Sequence, residues 1–253
     1  ECWNLVLDHL SPPLALSLSA AAASAQRVWL SGPKRPAEPM ARPQTDIEAG
    51  RAELLEVVDD LIRKRGAGDI SMSDLAAAAG MSPSNLYRFF DSKEALLEAV
   101  AERFFDEKVR IMVEVTESDL PVRQKMYDYF ARRFIVMVEK YEAEPDLLKS
   151  YLEIGQQYFE VVRGYVDLGD HYLALIVAEA MEQGYFTGLS IDEAVSLINQ
   201  MVHCYTNPEA IIFIRNNKLR VEKLALIVDA IFDGLSSQAS AALTKEPHIK
   251  IVS

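Results

Sequence analysis

The sequence predicts an all-α protein, with a small three-helix unit followed by a larger helical one. Three observations carry this expectation. From Thr45 onward apolar residues recur at spacings of three and four, the period of an amphipathic helix. Helix-start signals at Ser71, Ser82 and Ser190 cut that pattern into segments. No stretch alternates apolar and polar residues in the way that marks a half-buried strand.

The first segment places Leu54, Val57, Val58, Leu61 and Ile62 on one face, giving a helix over about 46–65 that Gly66 and Gly68 end. Ser71-Met72-Ser73-Asp74 is a capping-box start, and Leu75, Ala76 and Ala79 form the inner stripe of a short helix stopping at Gly80. Ser82-Pro83 pairs an N-cap with proline at the first helical position, opening a third helix to about Phe89. Asp91-Ser92-Lys93-Glu94 starts a fourth, which Leu96, Leu97, Val100, Phe104 and Val109 carry to about Val115. Asp119-Leu120-Pro121 breaks the chain. The next helix holds Met126, Phe130, Phe134, Met137 and Tyr141 on one face. Glu144-Pro145 starts another, to about Val161, and a further one runs from Val162 to Gly184. Ala194, Val195, Ile198, Met201, Val202 and Tyr205 form the following stripe, which Asn207-Pro208 interrupts, and the last clear helix spans about 219–236.

Residues 1–39 read differently. They hold five prolines and the low-complexity run from Leu14 to Ala25, which has the apolar character of a signal-peptide core. The segment before that run carries Glu1 and Asp8 and no Lys or Arg, where a secretory leader needs positive charge. Two readings stand side by side: a start at or near Met40, or a disordered N-terminal extension. The expected organisation is therefore 1–39 outside the fold, 40–92 as the small unit, 93–240 as the large one and 241–253 as a tail.

The formal charge of −12 over 253 residues argues against a protein coated in nucleic acid and leaves room only for a local basic face. Cys2 and Cys204 lie far apart and in no metal-ligand spacing, so no disulfide framework or metal is expected and a reducing cytoplasm fits. No apolar run approaches the roughly 20 residues that span a bilayer, so no membrane partner is expected. No P-loop, HExxH, GxSxG or GxGxxG pattern is present, and neighbouring His203 and Cys204 point about 100° apart on a helix. No enzyme and no cofactor is expected.

Two short helices joined by Gly80-Met81-Ser82 have the dimensions of a helix-turn-helix. Glycine at position 80 supports the left-handed backbone of the tight turn. Leu75, Met81 and Leu86 supply a miniature core, leaving Ser84, Asn85, Tyr87 and Arg88 on the opposite side of the third helix. Arginine pairs bidentately with guanine and asparagine with adenine, while serine and tyrosine hydroxyls suit phosphate oxygens. Double-stranded DNA is the partner this set suits.

The string DISMSDLAAAAGMSPSNLYRFFDSKEALLEAV, with Leu75-Ala76, Ala79-Gly80-Met81-Ser82, Leu86-Tyr87, Phe90 and Ser92-Lys93-Glu94-Ala95-Leu96-Leu97, resembles the signature of the TetR family of bacterial transcription regulators, from about Thr45 to Val100. The resemblance implies an N-terminal three-helix DNA-binding domain and a larger helical domain for effector binding and dimerisation. It implies phosphate contacts from Ser71, Tyr87 and Lys93, base-edge contacts from Ser84, Asn85 and Arg88, and accessory roles for Ser73 and Ser82. Arg51 or Arg42 would reach a flanking phosphate. Segment 41–115 holds ten basic and fifteen acidic residues, so few phosphate contacts are expected.

A small-molecule effector would lie among Phe130, Phe134, Tyr158, Tyr172 and Met181, with Gln156, His171, Asn199 and His203 as polar groups. The plain alternative for the aromatic and Met stripe is core. The resemblance also implies a homodimer through a four-helix interface, for which Val195, Ile198, Val202, Leu224, Ile227, Val228, Ile231 and Leu235 are the candidates. The competing reading is a helical protein-interaction module without specific DNA binding, which the net charge favours and the polar face of the third helix does not.

Overall fold

A computed structural model describes residues 44–66, 70–214 and 218–235. Residues 1–39, the tail 241–253 and the candidate phosphate ligand Arg42 lie outside them. The described residues form eleven helices: α1 (Gln44–Arg65), α2 (Met72–Ala78), α3 (Pro83–Leu86), α4 (Lys93–Glu117), α5 (Val122–Ala143), α6 (Pro145–Gln157), α7 (Phe159–Glu182), α8 (Ile191–Met201), α9 (His203–Thr206), α10 (Pro208–Ile214) and α11 (Val221–Leu235). The all-α expectation holds, and no strand occurs among the described residues. Helix α10 falls where the sequence showed only the Asn207-Pro208 interruption. Proline occupies its first position, and the Asn207 side chain accepts from the Ala210 N–H, as an N-cap does.

The helices divide into two compact units. One takes in α1 to α3, α4 as far as Glu107, and segment 140–164. Its core is Leu54, Val58, Leu61, Ile62, Leu75, Leu86, Phe90 and Leu96, with Leu147, Tyr151 and Ile154 of α6 packed against it. A half-buried polar network accompanies that core. Arg103 of α4 pairs with Glu56 at 3.0 Å and with Asp59, and the Tyr151 hydroxyl donates to the same Asp59 carboxylate. Helices α1, α4 and α6 are thus tied through one carboxylate.

The other unit takes in 108–139 and the described residues from Tyr165 onward. Its core holds Met126, Tyr129, Phe130, Leu173, Ile176, Ala194, Ile198, Leu224 and Phe232, all at most 1 % exposed. Phe186, fully buried, sits at a φ of 55° between glycines 184 and 188. Left-handed backbone is unfavourable for a bulky residue, and contact of its ring with Phe232 at 4.9 Å between centroids holds it there.

Candidate nucleic-acid interface

Local chemistry sets the geometry of the 71–93 segment. Ser71 caps α2: its hydroxyl accepts from the Asp74 N–H at 3.0 Å, and the Asp74 carboxylate takes the Ser71 N–H and hydroxyl in return. Those bonds, with Arg65 at 2.6 Å, hold the Asp74 carboxyl at about 2, well below its ordinary value. Gly80 follows at φ 65°, the left-handed turn that glycine permits. Ser82 then caps α3, accepting from the Asn85 N–H, with Pro83 in the first turn. Leu86, wholly buried, and Phe90 at 1 % exposure pin the segment to the core.

What remains outward is a narrow polar strip. Ser73, Ser82, Ser84, Tyr87 and Arg88 are exposed, and Asn85 is half-buried. The Arg88 guanidinium makes one long hydrogen bond to Asn85 Oδ1, at 3.4 Å. Ser71 is half-buried and engaged with Asp74, so its hydroxyl has partners already. Lys93, half-buried, lays its ammonium 5.3 Å from the centre of the Tyr158 ring. Arg51 stacks on Phe90, with Cζ 5.0 Å from the ring centre.

Sequence reasoning overlooked Gly50. A Cβ there would run into the Phe89 ring, so glycine lets α1 approach the segment after α3. A glycine inside a strongly helical pattern was the available signal.

The nine candidate effector residues are divided between the two compact units. Exposed Gln156 and half-buried Tyr158 belong to the unit of α1 to α3, the other seven to the second unit. There Phe130 and Phe134 are buried, Phe134 edge-on to Tyr205 at 5.2 Å. His171, its pKa lowered by burial, meets Tyr172 edge-on at 5.5 Å. Asn199 donates to Asp170 at 2.8 Å, Met181 is half-buried and His203 is exposed.

The dimer candidates fare differently from the expectation. Ile198, Val202, Leu224, Val228, Ile231 and Leu235 are buried inside the protomer's own unit, and Val195 and Ile227 are half-buried. Side chains enclosed this way are unavailable to a second chain. The exposed large apolar residues on α8, α10 and α11 are Leu197, Met201, Phe213 and Leu226.

Residues 54–100 match the family described as bacterial regulatory proteins, tetR family, and residues 122–228 match the tetracyclin repressor-like C-terminal domain. The chain is 33 % identical over 88 residues to the HTH-type transcriptional repressor KstR2 of Rhodococcus jostii, a match covering 33 % of this chain and 43 % of that protein. It thus aligns with less than half the length of that curated relative. Among solved structures, SmeT, the repressor of the Stenotrophomonas maltophilia multidrug efflux pump SmeDEF, superposes with a TM-score of 0.56 at 16 % identity, over 75 % of this chain and 91 % of that one. A TetR family transcription regulator from Marinobacter aquaeolei gives 0.52 at 17 % identity, over 76 % and 97 %. At these identities the superpositions establish the fold.

Proposed function

The chain belongs to the TetR family of bacterial regulatory proteins, and from that premise we propose that it is a sequence-specific transcriptional repressor, acting as a homodimer on a near-palindromic operator. The family is one of regulators and not of enzymes. The observation that carries the reading is the strip of exposed Ser84, Tyr87 and Arg88 on a short helix held to its core by Leu86. Arg88 and Asn85, with Ser84, read base edges in the major groove. Tyr87, Lys93, Ser73 and Ser82 contact phosphates and fix register. Ser71 joins them only if its bonds to Asp74 yield.

In this reading 40–92 is the DNA-binding head and 93–240 the effector and dimer body. Two heads spaced roughly 34–36 Å apart enter successive major grooves. An effector that favours one head spacing shifts the population, with a coupling of about 1–3 kcal/mol. The dimer face is supplied by Leu197, Met201, Phe213 and Leu226, whose apolar exposure favours cover by a second copy. No helix among the described residues is long and apolar enough to cross a membrane.

Selection of bound duplexes from random and genomic DNA tests the reading. An enriched near-palindrome is expected. A folded protein that enriches no sequence at low salt would refute it in favour of the interaction module.

A further inference from the structure

The unit containing α5, α7 and α8 carries a half-buried polar cluster against its apolar core. Tyr129, 1 % exposed, donates its hydroxyl to the Gly169 carbonyl at 2.6 Å. Arg133, one turn further along α5, lays its guanidinium on the Tyr129 ring, with Cζ 4.6 Å from the centre. A terminal nitrogen of Arg133 lies 3.5 Å from where a Gly169 Cβ would be, so the guanidinium rests against the backbone of α7. The next residue, Asp170, is mostly buried and is held by Asn199.

Arg133 interacts with the Tyr129 hydroxyl and ring and, through space, with Asp170, but one of its donors, Nε, has no partner. Among the described residues it forms no ion pair, and its Nε is shielded from solvent without a hydrogen-bond partner. Asp170 influences it from beyond ion-pair distance, while its own carboxylate is taken by Asn199. The contrast with Lys125 of the same unit is direct: that buried ammonium has both the Glu179 carboxylate at 2.7 Å and the Thr116 carbonyl. Arg133 as a whole is half-buried, but its Nε is shielded; shielded donors are ordinarily satisfied, and one that is not calls for a group that comes and goes.

We propose that Arg133 is the anchor for the carboxylate of an apolar carboxylic-acid effector. A guanidinium presents Nε and a terminal nitrogen as a fork that two carboxylate oxygens match. Phe130, Leu173 and Ile198 are buried in the same unit, and an apolar interior of this kind suits a hydrocarbon or aryl body and disfavours a polyanion. The assignment rests on the effector-responsive reading above and narrows the effector to an apolar acid.

The test follows thermal unfolding of the full chain by circular dichroism, without DNA. Octanoate and phenylacetate are the probes, with methyl octanoate and octanol as uncharged counterparts. The acids are expected to raise Tm saturably, by roughly 5–10 °C at a hundredfold excess over Kd, and the ester and alcohol are not. Arg133→Gln should abolish the shift, and Arg133→Lys should keep only part of it. Arg133→Met, without any ligand, should unfold no more than about 2 °C below wild type, since no ion pair is lost. Equal shifts with ester and acid, no shift with either acid, or an acid shift that survives in Arg133→Gln would overturn the proposal. So would a large fall in Tm of ligand-free Arg133→Met, which would make the arginine structural. Duplex binding is measured on the same variants. Acid binding that is lost in Arg133→Gln but does not release the duplex supports the site and refutes the effector response.

Discussion

Arg88→Ala separates base reading from mere electrostatic attraction. Arg88 is exposed, and its one side-chain hydrogen bond among the described residues is the long contact to Asn85. Truncation should therefore change stability by no more than about 0.5 kcal/mol, the usual range for such surface sites. A bidentate arginine–guanine pair discriminates by about 1–3 kcal/mol, or about 5- to 150-fold, in each half-site. With two half-sites the total reaches about 2–6 kcal/mol. Fluorescence anisotropy on the selected duplex and its single-base variants, at several salt concentrations, resolves the two roles. Loss of base reading weakens the selected duplex, flattens preference at one position per half-site and leaves other positions unaffected. A phosphate contact instead weakens every duplex alike and lowers the salt slope by about 0.9 per protomer. That second pattern would refute the base-reading role, and unchanged binding would place Arg88 outside the interface. Arg63→Ala is the matched control, because Arg63 is already paired with Asp60 and Glu144 and should leave DNA binding unaltered.

Further outcomes follow from the same structure. The Asp74 carboxyl sits near 2 instead of its ordinary 3.8, so its contribution is full above about pH 4 and disappears as pH falls through about 2. Urea unfolding across that range should show a shallower pH dependence in Asp74→Asn, and an unchanged slope would contradict the capping role. Arg103→Ala strands the mostly buried Asp59 carboxylate and should cost about 3 kcal/mol in urea unfolding at neutral pH, the low end for a broken buried pair. Tyr151→Phe, which removes only the hydroxyl that donates to Asp59, should cost about 1 kcal/mol in the same assay. The double variant Phe213→Asp with Leu226→Asp alters residues 83 % and 68 % exposed, so the fold should persist while sedimentation equilibrium reports monomer. A dimer that survives would move the interface elsewhere.

How much was legible in advance depended on whether the governing interaction was local. Caps at Ser71, Ser82 and Ser190 are short-range bonds between residues three apart, and each stands as the sequence suggested. The stripe of Leu224, Val228, Ile231 and Leu235 correctly marked a buried face. Periodicity, however, says that a face is covered and not which chain covers it. The same stripe was therefore assigned to a partner when the protomer's own helices enclose it. Leu197 and Leu226 sit off the apolar stripes, Met201 belongs to the stripe of Ala194 to Tyr205 yet is exposed, and Phe213 lies on a helix the Asn207-Pro208 break concealed. The effector list grouped side chains by type, and the fold divides it between the two units, with Gln156 and Tyr158 in one and Phe130 and Asn199 in the other. Arg133, between other charged and aromatic residues of α5, offered no sequence signal at all; its distinction is the unpartnered Nε.

The acidic balance that seemed to oppose DNA binding has a structural explanation. Arg63 is held by Asp60 and Glu144, Arg65 by Asp74, and Arg103 by Glu56 and Asp59. Much of the basic charge in the head is therefore neutralised within the unit and does not add to a general field at long range. Arg88, with only its long bond to Asn85, stands out in the turn after α3. Non-specific affinity grows with the number of phosphates neutralised, whereas base discrimination does not. A head whose acids restrain Arg63 and Arg65 should bind random DNA weakly while retaining preference for its operator. The ratio of the two affinities, and not the strength of either, is then the quantity on which such a regulator depends. It follows that charge-reversing Glu56→Lys, which frees part of Arg103 and adds a cation, should strengthen binding to random duplex more than to operator.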